Sequence, residues 1–496
     1  MDDTPYLAWY ATMMPPDRAP EDTAANLVGQ TFDFSDLYEL EAAFERATRE
    51  MDRRARRVAL FTEKHGWDLE SGVRVMCPLL LQAMLSALPE DEPLEPAGLG
   101  GAPAVPFRAL LRAFVLAPFF EVEDNAAALW RALANNPTFL RRCGFPDHEL
   151  PSERTLQRFN AVMNEAGLWG EARRRLVRKN YTTGVLAPPR RLAIDPGHED
   201  GYAGVRRPCA ACRSCQGCPN DEQVSTCDVT DIVAKRATYR FPGVKGVFVT
   251  DIDAEMPMVV VAVNAREFDG NVGVDAALAV AMEYPDQVVT VVEASLDGAY
   301  DAADQKQGIS EALGGADVLV PINVRGRKSR PVRGARGIDH IEPNGVPHCI
   351  AGLPMTYLGR DEVRGEYRWG CPKFDRATAT VSCPMQGRCC PNPGKTGRQF
   401  RVARADTPQI DWKNPQHSED FKARYKGRTA VERTIGRTKR SFPFERHWGR
   451  GRAAFQGHLD KGVLAFHVLL SAADGAGRRE LGRRALTLHQ RHRDAA

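Results

Sequence analysis

Two aspartates stand where an α/β protein commonly places a ligand site. Asp195 ends the apolar segment RRLAID, and Asp297 ends the apolar segment VVTVVEASLD. Both carboxylates are candidates, because ligand sites of open α/β sheets lie just beyond the carboxyl ends of the strands. Each one taken alone is weak evidence, since Asp-Pro-Gly and Asp-Gly are also ordinary turn sequences.

A third acidic residue belongs to a pattern with helical spacing in the segment YKGRTAVERTIGRTK. The spacing Y-x2-R-x3-E-x6-K joins Tyr425, Arg428, Glu432 and Lys439. Offsets of three, four and seven residues predict that the four side chains share one face of a helix. Average residue usage gives this pattern by chance on the order of once in 10⁵ windows. The plainer interpretation is an exposed helix with an Arg428–Glu432 ion pair.

Three carboxylates from distant parts of the chain suit divalent-metal chemistry on phosphates. Magnesium takes oxygen ligands and keeps waters, which leaves positions for phosphate oxygens. Two such ions about 4 Å apart can activate a water or a 3′-hydroxyl and stabilise the leaving oxygen of an in-line displacement at phosphorus. We expect Asp195, Asp297 and Glu432 to hold two Mg²⁺ or Mn²⁺ ions. DNA contacts beside the metals are then expected at Tyr425, Arg428 and Lys439.

These motifs resemble the DDE transposases of bacterial insertion sequences, in the subgroup that carries a Tyr-Arg-Glu-Lys signature. The resemblance covers roughly residues 107–475, and PSERTLQRF is similar to a Pro/Ser/Thr-Leu-x-x-Phe phrase of the family's N-terminal helical domain. It implies Asp195, Asp297 and Glu432 as the catalytic triad. Asp297 is preferred to Glu293 and Asp301 because it ends the apolar strand and precedes Gly-Ala-Tyr-Asp, as the family's second acid does.

The same resemblance implies a fold, a reaction and partners. The fold is an α/β ribonuclease-H-like catalytic domain with a helical N-terminal domain and a Cys-rich, mainly β/loop insertion. The reaction is cleavage at the element ends followed by strand transfer. The partners are double-stranded DNA, as inverted-repeat ends and as target, and a second copy of the chain in a synaptic homodimer.

Eight of the twelve cysteines fall in two tight groups, which are candidate zinc sites. They are Cys209, Cys212, Cys215 and Cys218, and Cys371, Cys383, Cys389 and Cys390. Such dense thiolates can wrap one zinc, although structural sites usually have two separated Cys-x2-Cys pairs. The first group also approaches an iron–sulfur run, but has one residue too few before its last cysteine. Cys349 and Cys227 are substitutes in the second group, and a thiol-rich loop without metal stays open.

Hydrophobic patterning indicates a helical first part and a mixed sheet after it. Short Val- and Ile-rich segments predict strands at 190–195, 244–253, 256–267, 287–297 and 316–323. VGVDAALAVAMEYP predicts a helix at 272–285, and helical character returns from about Ser418 to Ala473. The pattern predicts an α/β domain with helices on the faces of the sheet.

Composition shifts give the boundaries of eight predicted segments, and the resemblance implies the DNA-binding and catalytic roles among them. These are a helical extension (1–97), a linker (98–106), a helical DNA-end-binding domain (107–171), a basic connector (172–191), the first catalytic part (192–325), the Cys-rich insertion (326–405), the second catalytic part (406–475) and a basic tail (476–496).

Charge and hydropathy bound the function classes. The net charge is only +3, but residues 421–452 hold eleven Lys or Arg against two Glu, as expected of a phosphate-backbone contact. No apolar run approaches the roughly 18 residues of a membrane helix, and the acidic start does not suit a signal peptide, so we expect a cytoplasmic protein. Two alternatives remain: a non-catalytic DNA-binding protein derived from a transposase, and a Cys-cluster zinc or iron–sulfur protein.

Overall fold

A computed structural model of the chain describes most of the residues between 38 and 477. The described residues are 38–64, 105–120, 122–145, 149–201, 231–236, 239–263, 269–332, 334–391, 394, 397–440, 446–447, 449, 451–475 and 477. The first cysteine group (209–218), most of the predicted linker and nearly all of the basic tail lie outside them. Much of the predicted extension (1–97) also does.

Helices make up the described part of the chain before the sheet. They are α1 (Tyr38–Lys64), α2 (Phe107–Leu116), α3 (Ala126–Asn135), α4 (Pro137–Cys143), α5 (Glu153–Glu165) and α6 (Leu168–Thr182). Local chemistry sets their beginnings. The Asn136 side chain accepts from Phe139 N at 2.9 Å with Pro137 at the first helical position, and Ser152 accepts from Thr155 N at 3.1 Å, which confirms the predicted Ser152 cap.

A mixed sheet forms the centre of the molecule. Its main strands are β1 (Arg191–Gly201), β2 (Asp231–Arg236), β3 (Tyr239–Asp251), β4 (Met256–Val263), β5 (Glu293–Ser295) and β6 (Asp317–Leu319). The order β2-β3-β1-β5-β6 has β4 also paired with β3. Strands β1, β3 and β4 are antiparallel neighbours, whereas β1, β5 and β6 run parallel. This arrangement agrees with the ribonuclease-H-like fold that the resemblance implies.

Helices cross between and after these strands. They are α7 (Asp269–Glu283), α8 (Pro285–Val288) and α9 (Ala303–Ala312). Helices α7 and α8 precede β5, and α9 precedes β6. The predicted strand 287–297 is therefore mostly wrong, because Pro285 begins a short helix that takes up its first residues and only Glu293–Ser295 pair in the sheet. The predicted strand 190–195 is too short, since β1 continues to Gly201 against β3.

The insertion forms small sheets with a core of their own. Its strands are β7 (Arg330–Pro331), β8 (Ile338–Ile341), β9 (Pro347–Cys349), β10 (Thr356–Asp361), β11 (Glu366–Gly370), β12 (Phe374–Asp375), β13 (Thr380–Val381) and β14 (Gln399–Ala403), with a short helix α10 (Gln386–Cys389). Tyr367, Trp369 and Val402 are buried there together with Ile410. Because Ile410 joins this core, the unit extends beyond the predicted boundary at 405.

The last part of the chain returns to the sheet. It contains α11 (Glu419–Tyr425), a 3₁₀ turn (Lys426–Arg428), α12 (Thr429–Arg440), β15 (Arg446–His447) and α13 (Arg452–Gly475). Helix α13 packs against α6 and β4, so the first helices and the sheet share one large core. The predicted basic connector (172–191) is accordingly helical over its first part, and Arg173 is buried in ion pairs with Asp460 and Glu283. Among the described residues, no helix has the length and apolarity to cross a bilayer.

Buried His467 makes the stability of this core depend on pH. Its Nε2 lies 2.8 Å from the Pro257 carbonyl oxygen and its Nδ1 lies 3.1 Å from Asn180 Nδ2, which fits the neutral ring. Burial lowers the pKa of His467 to about 4. The unfolded chain therefore binds this proton more readily, and stability is lost as pH falls from about 6.5 toward 4.

We expect the His467→Gln variant to lose less stability on acidification than the wild type. Between pH 7 and pH 5 the wild-type free energy of unfolding should fall by about 2 kcal/mol more than that of the variant, because glutamine takes up no proton. Urea unfolding at the two pH values measures the difference. Equal losses in both proteins would contradict the assignment.

Candidate active site

The pairing of β1 with β5 brings Asp195 and Asp297 next to each other. The last paired residues are Ala193 and Ser295. Asp195 follows Ala193 by two residues, and Asp297 follows Ser295 by two residues. Neighbouring strands lie about 4.8 Å apart, so the two carboxylates occupy equivalent positions beside each other on adjacent strands. Asp195 lies within β1 and not at its end, because β1 continues beside β3 where β5 has stopped.

Side-chain alternation sends both carboxylates to the same face of the sheet. Leu192 and Ile194 on β1, with Ala294 on β5 and Leu296 directly after it, pack into the large core on one face. The residues between them point the other way, since successive strand residues alternate. Ala193 accordingly belongs to the second core, on the face covered by α12 and α13.

Helix α12 brings Glu432 to that face. Ala430 and Val431 are fully buried against the sheet, which leaves Glu432 in the first turn of the helix at its margin. A close approach of helix and strand is possible because Gly197 has no side chain: a Cβ there would lie 3.2 Å from Ile435 Cγ2 and 3.3 Å from Phe248.

Arg428 joins two of the three acids. Its Nη2 donates to Asp195 Oδ1 at 3.0 Å and its Nη1 donates to Glu432 Oε1. The guanidinium thus lies between the two carboxylates, and the three acids do not form a group in which one oxygen from each lies within 4.8 Å of the others. The predicted Arg428–Glu432 ion pair exists, but Asp195 makes it part of a larger cluster.

Burial and mutual repulsion perturb the cluster. Burial raises the pKa of Asp195 to about 7; the charges of Asp297 and Glu432 add to the increase, and Arg428 opposes it. The same groups surround Tyr425, whose pKa burial raises to about 12. A pocket that disfavours its own negative charges in this way favours an added cation.

The predicted single helix through Tyr425, Arg428 and Glu432 is wrong. Tyr425 ends α11, Arg428 ends the 3₁₀ turn and Glu432 lies in the first turn of α12. Tyr425 Oη donates to the Leu296 carbonyl oxygen at 3.0 Å, next to Asp297, while Lys439 lies near the end of α12. Gly427 allows the 3₁₀ turn to pack closely on Ile252, because a Cβ there would lie 2.9 Å from Ile252 Cγ2.

The other acids near Asp297 have partners elsewhere. Glu293 is buried and accepts from Arg424 Nε at 2.7 Å. Asp301 accepts from Lys306 Nζ at 2.9 Å and from Asn323 N at 2.9 Å. Asp297, in contrast, is close enough for its charge to raise the pKa of Asp195.

Much of the basic stretch 421–452 is neutralised by acids of this chain. Arg424 pairs with Glu293 and Asp317, and Arg433 and Arg437 both pair with Glu255. The sequence count of eleven cations therefore overstates the positive surface.

The second cysteine group surrounds one small cavity in the insertion. Cys349, Cys371, Cys383, Cys389 and Cys390 all line a volume of about 20 Å³. These sulfurs are spread more widely than the ligands of a closed site, since no three of them lie within 4.8 Å of one another. Cys349, named only as a substitute in the sequence, is as much a part of the cavity as the others.

Sequence reasoning missed a cluster of His340, Glu342 and His348. Among the described residues, it is the group of metal-ligating side chains whose ligand atoms all lie within 4.8 Å of one another. A signal was available, because Asn344-Gly345 is a hairpin turn sequence and places the residues around it opposite each other.

Arg424 attaches helix α11 to the sheet through its ion pairs with Glu293 and Asp317. These pairs give a prediction about stability. Arg424→Met leaves Glu293 buried without its cation, so we expect a loss of about 3–5 kcal/mol in the free energy of unfolding. Adding Glu293→Gln should recover part of it. The control Lys422→Met removes an exposed pair with Glu419 and should cost under about 1 kcal/mol. Equal losses for Arg424→Met and Lys422→Met in urea unfolding would refute the role of Arg424.

Two family models match the chain, and both describe transposases. The model "Transposase DDE domain" matches residues 349–466, and the model "Transposase domain (DUF772)" matches residues 73–161. The first includes Glu432 and neither of the two aspartates.

Other comparisons add little. No curated protein matches the chain. Among solved structures, a piggyBac transposase synaptic complex with hairpin DNA is similar with a TM-score of 0.32 and 10% identity, over 79% of this chain and 73% of that chain. A likeness this low carries no argument. Two separate parts of the chain, residues 73–161 and 349–466, are thus similar to transposase domains.

Proposed function

We propose that the protein cuts DNA at the ends of its insertion sequence and joins the freed ends to target DNA, with divalent metal ions. The observation that carries the proposal is the meeting of Asp195, Asp297 and Glu432 at one margin of the sheet, from three separate elements. A transposase of the Tyr-Arg-Glu-Lys subgroup needs this arrangement, because both steps are displacements at phosphorus.

The donor set fits a pair of Mg²⁺ or Mn²⁺ ions. Three carboxylates offer only oxygen ligands, which these cations prefer. Burial raises the pKa of Asp195 and repulsion from Asp297 and Glu432 adds to the increase, and a bound cation would offset both effects. Asp195, Asp297 and Glu432 would hold the ions, which when bound activate a water or a 3′-hydroxyl and stabilise the leaving oxygen.

Arg428 has one role in the metal-free protein and another when the metal ions are bound. Without a cation it neutralises Asp195 and Glu432 through two of its nitrogens. Its buried Nε has no hydrogen-bond partner among the described residues. A guanidinium released from the acids can bind a phosphate with two nitrogens, so we assign Arg428 to the DNA backbone beside the cleavage site.

Tyr425 and Lys439 extend the proposed DNA contact. The Tyr425 hydroxyl holds the chain at Leu296, which steadies Asp297 and leaves the ring beside the acids. Lys439 follows on α12 as a phosphate contact. The helical domain (107–171) is proposed to bind the element ends, and a homodimer to hold two ends together.

Substitution of each proposed metal ligand tests the reaction. We expect Asp195→Asn, Asp297→Asn and Glu432→Gln each to lower cleavage by about 10³-fold or more, since each removes part of a stabilisation worth several kcal/mol. The substrate is DNA that carries the inverted repeats flanking the gene, with Mg²⁺, and products are measured on denaturing gels. Binding of the same DNA should persist in gel-shift assays.

Glu419→Gln is the matched control, because Glu419 is an exposed acid at the start of α11 that forms an ion pair with Lys422 and, within the described part of the chain, no other ion pair. It should cleave as the wild type does. Near-normal cleavage by the Asp297 variant would move the role to a neighbouring acid. A wild-type protein that binds these ends and does not cut them would favour the non-catalytic alternative.

We also propose that the cavity of the second cysteine group holds a structural zinc ion. Each of Cys371, Cys383 and Cys390 precedes a proline. Phe374 N donates to Cys371 O at 3.3 Å and Gln386 N donates to Cys383 O at 3.1 Å, so both thiols are carried on tight turns. Burial raises the pKa of Cys371 and the neighbouring thiols add to it, a repulsion that zinc would relieve. Ligands would come from this cysteine group and Cys349.

Metal analysis of the full-length protein tests the zinc proposal. The double variant Cys371→Ser/Cys383→Ser should lose one equivalent of zinc relative to the wild type, whereas Cys143→Ala should retain it because Cys143 lies in α4, away from the cavity. Equal zinc contents in the wild type and the double variant would exclude the site. Brown colour with bound iron would favour the iron–sulfur alternative.

A further inference from the structure

The hairpin β8–β9 carries a group of ligands that the proposed transposition chemistry does not use. His340 and His348 are cross-strand partners, and their rings stack with centroids 4.7 Å apart. Glu342 lies in the turn between them. Their ligand atoms all lie within 4.8 Å of one another, and a metal bound at about 2.1 Å from each needs only small side-chain rotations.

One of these ligand atoms, His348 Nε2, is a buried nitrogen that lacks a hydrogen-bond partner among the described residues. His348 Nε2 lies 2.9 Å from Glu342 Oε1, but the two are not aligned as a hydrogen bond. Among the described residues Nε2 therefore has no hydrogen-bond partner. Burying such a group has a cost, and a cation shared with the carboxylate removes it.

Neighbouring groups already orient the other ligands. His340 Nδ1 lies 2.8 Å from Asp339 Oδ2, a contact that places the proton on Nδ1 and leaves Nε2 for a metal. Asn344 Nδ2 donates to Glu342 Oε2 at 3.2 Å. Metal-binding histidines and carboxylates commonly have such supporting partners, because these fix the ligand's orientation.

We propose that His340, Glu342 and His348 bind a divalent transition-metal ion such as Zn²⁺. Two imidazoles and one carboxylate favour Zn²⁺ or another divalent first-row transition metal over Mg²⁺, which prefers oxygen ligands alone. Its three ligands are none of the acids of the sheet and none of the cavity's cysteines, although Cys349 of the cavity directly follows His348. The proposal stands whether or not the protein cuts DNA.

The bound ion would stiffen the connection between the insertion and α11. The turn that carries Glu342 contacts the segment before α11: His417 Nε2 lies 2.8 Å from the Asn344 carbonyl oxygen, and Gln409 Nε2 donates to Pro343 O at 3.4 Å. That segment leads directly into α11 and Tyr425. A metal that fixes the turn therefore steadies the start of the helical segment.

Cobalt binding to the chelator-treated, full-length protein tests the proposal. Co²⁺ held by two histidines and a glutamate gives visible bands without the ultraviolet charge-transfer band of thiolate ligands, so the two sites of the insertion can be told apart. We expect His340→Ala/His348→Ala to lose one equivalent of Co²⁺ and Zn²⁺ and to keep any thiolate band. Asp339→Asn should weaken this binding by about 10- to 100-fold.

His417→Gln is the control, because His417 contacts the same turn and offers no ligand to the group; it should keep full stoichiometry. Zn²⁺ should also raise the unfolding temperature of the wild type more than that of the double variant. Equal metal stoichiometry in the wild type and a folded double variant would overturn the proposal. So would cobalt spectra that contain only thiolate-bound metal.

Discussion

The parallel pairing of β1 with β5 is the constraint on which the candidate active site depends. It aligns Ala193 with Ser295, and the alternation of side chains then sends Asp195 and Asp297 to the same face at the same level. A shift of one residue in this register would turn one carboxylate into the large core. The register is held by apolar neighbours such as Ile194 and Leu296, which would become exposed on that shift.

The third acid depends on packing between a helix and the sheet. Glu432 meets Asp195 because Ala430 and Val431 are buried on the face opposite the large core, and because Gly197 allows the helix to come close. Arg428 then compensates two carboxylates that would otherwise repel each other. Electrostatic balance at the site is thus supplied by the chain itself.

The chain separates its candidate metal sites by ligand chemistry. Carboxylates alone gather at the sheet, thiols line a cavity in the insertion, and histidines with one glutamate lie on the hairpin β8–β9. Hard cations prefer the first set, whereas zinc prefers the other two. Two candidate sites within the insertion suit a unit whose core is small, since metal ligation adds stability where few apolar residues are available.

The sequence by itself determined the residue types, the helix caps and the family resemblance. Asp195, Asp297 and Glu432 could be named from local context, and Ser152 could be named as a cap, because these signals involve only neighbouring residues. The strand at 287–297 and the unbroken helix through Tyr425 were predicted wrongly. In the first case Pro285 begins a helix within an apolar run. In the second, a 3₁₀ turn at Lys426–Arg428 separates the two helices, and its Gly427 packs closely on Ile252, which is distant in the chain.

Only the tertiary structure decided which charges meet. Arg424 pairs with Glu293 across 131 positions of the chain and Arg428 pairs with Asp195 across 233, so a local count of basic residues could not show that these cations are neutralised. The inclusion of Cys349 in the cysteine cavity and the convergence of His340 with His348 likewise follow from strand pairing and packing. Such contacts depend on the relative positions of elements distant in the chain, which local patterns do not specify.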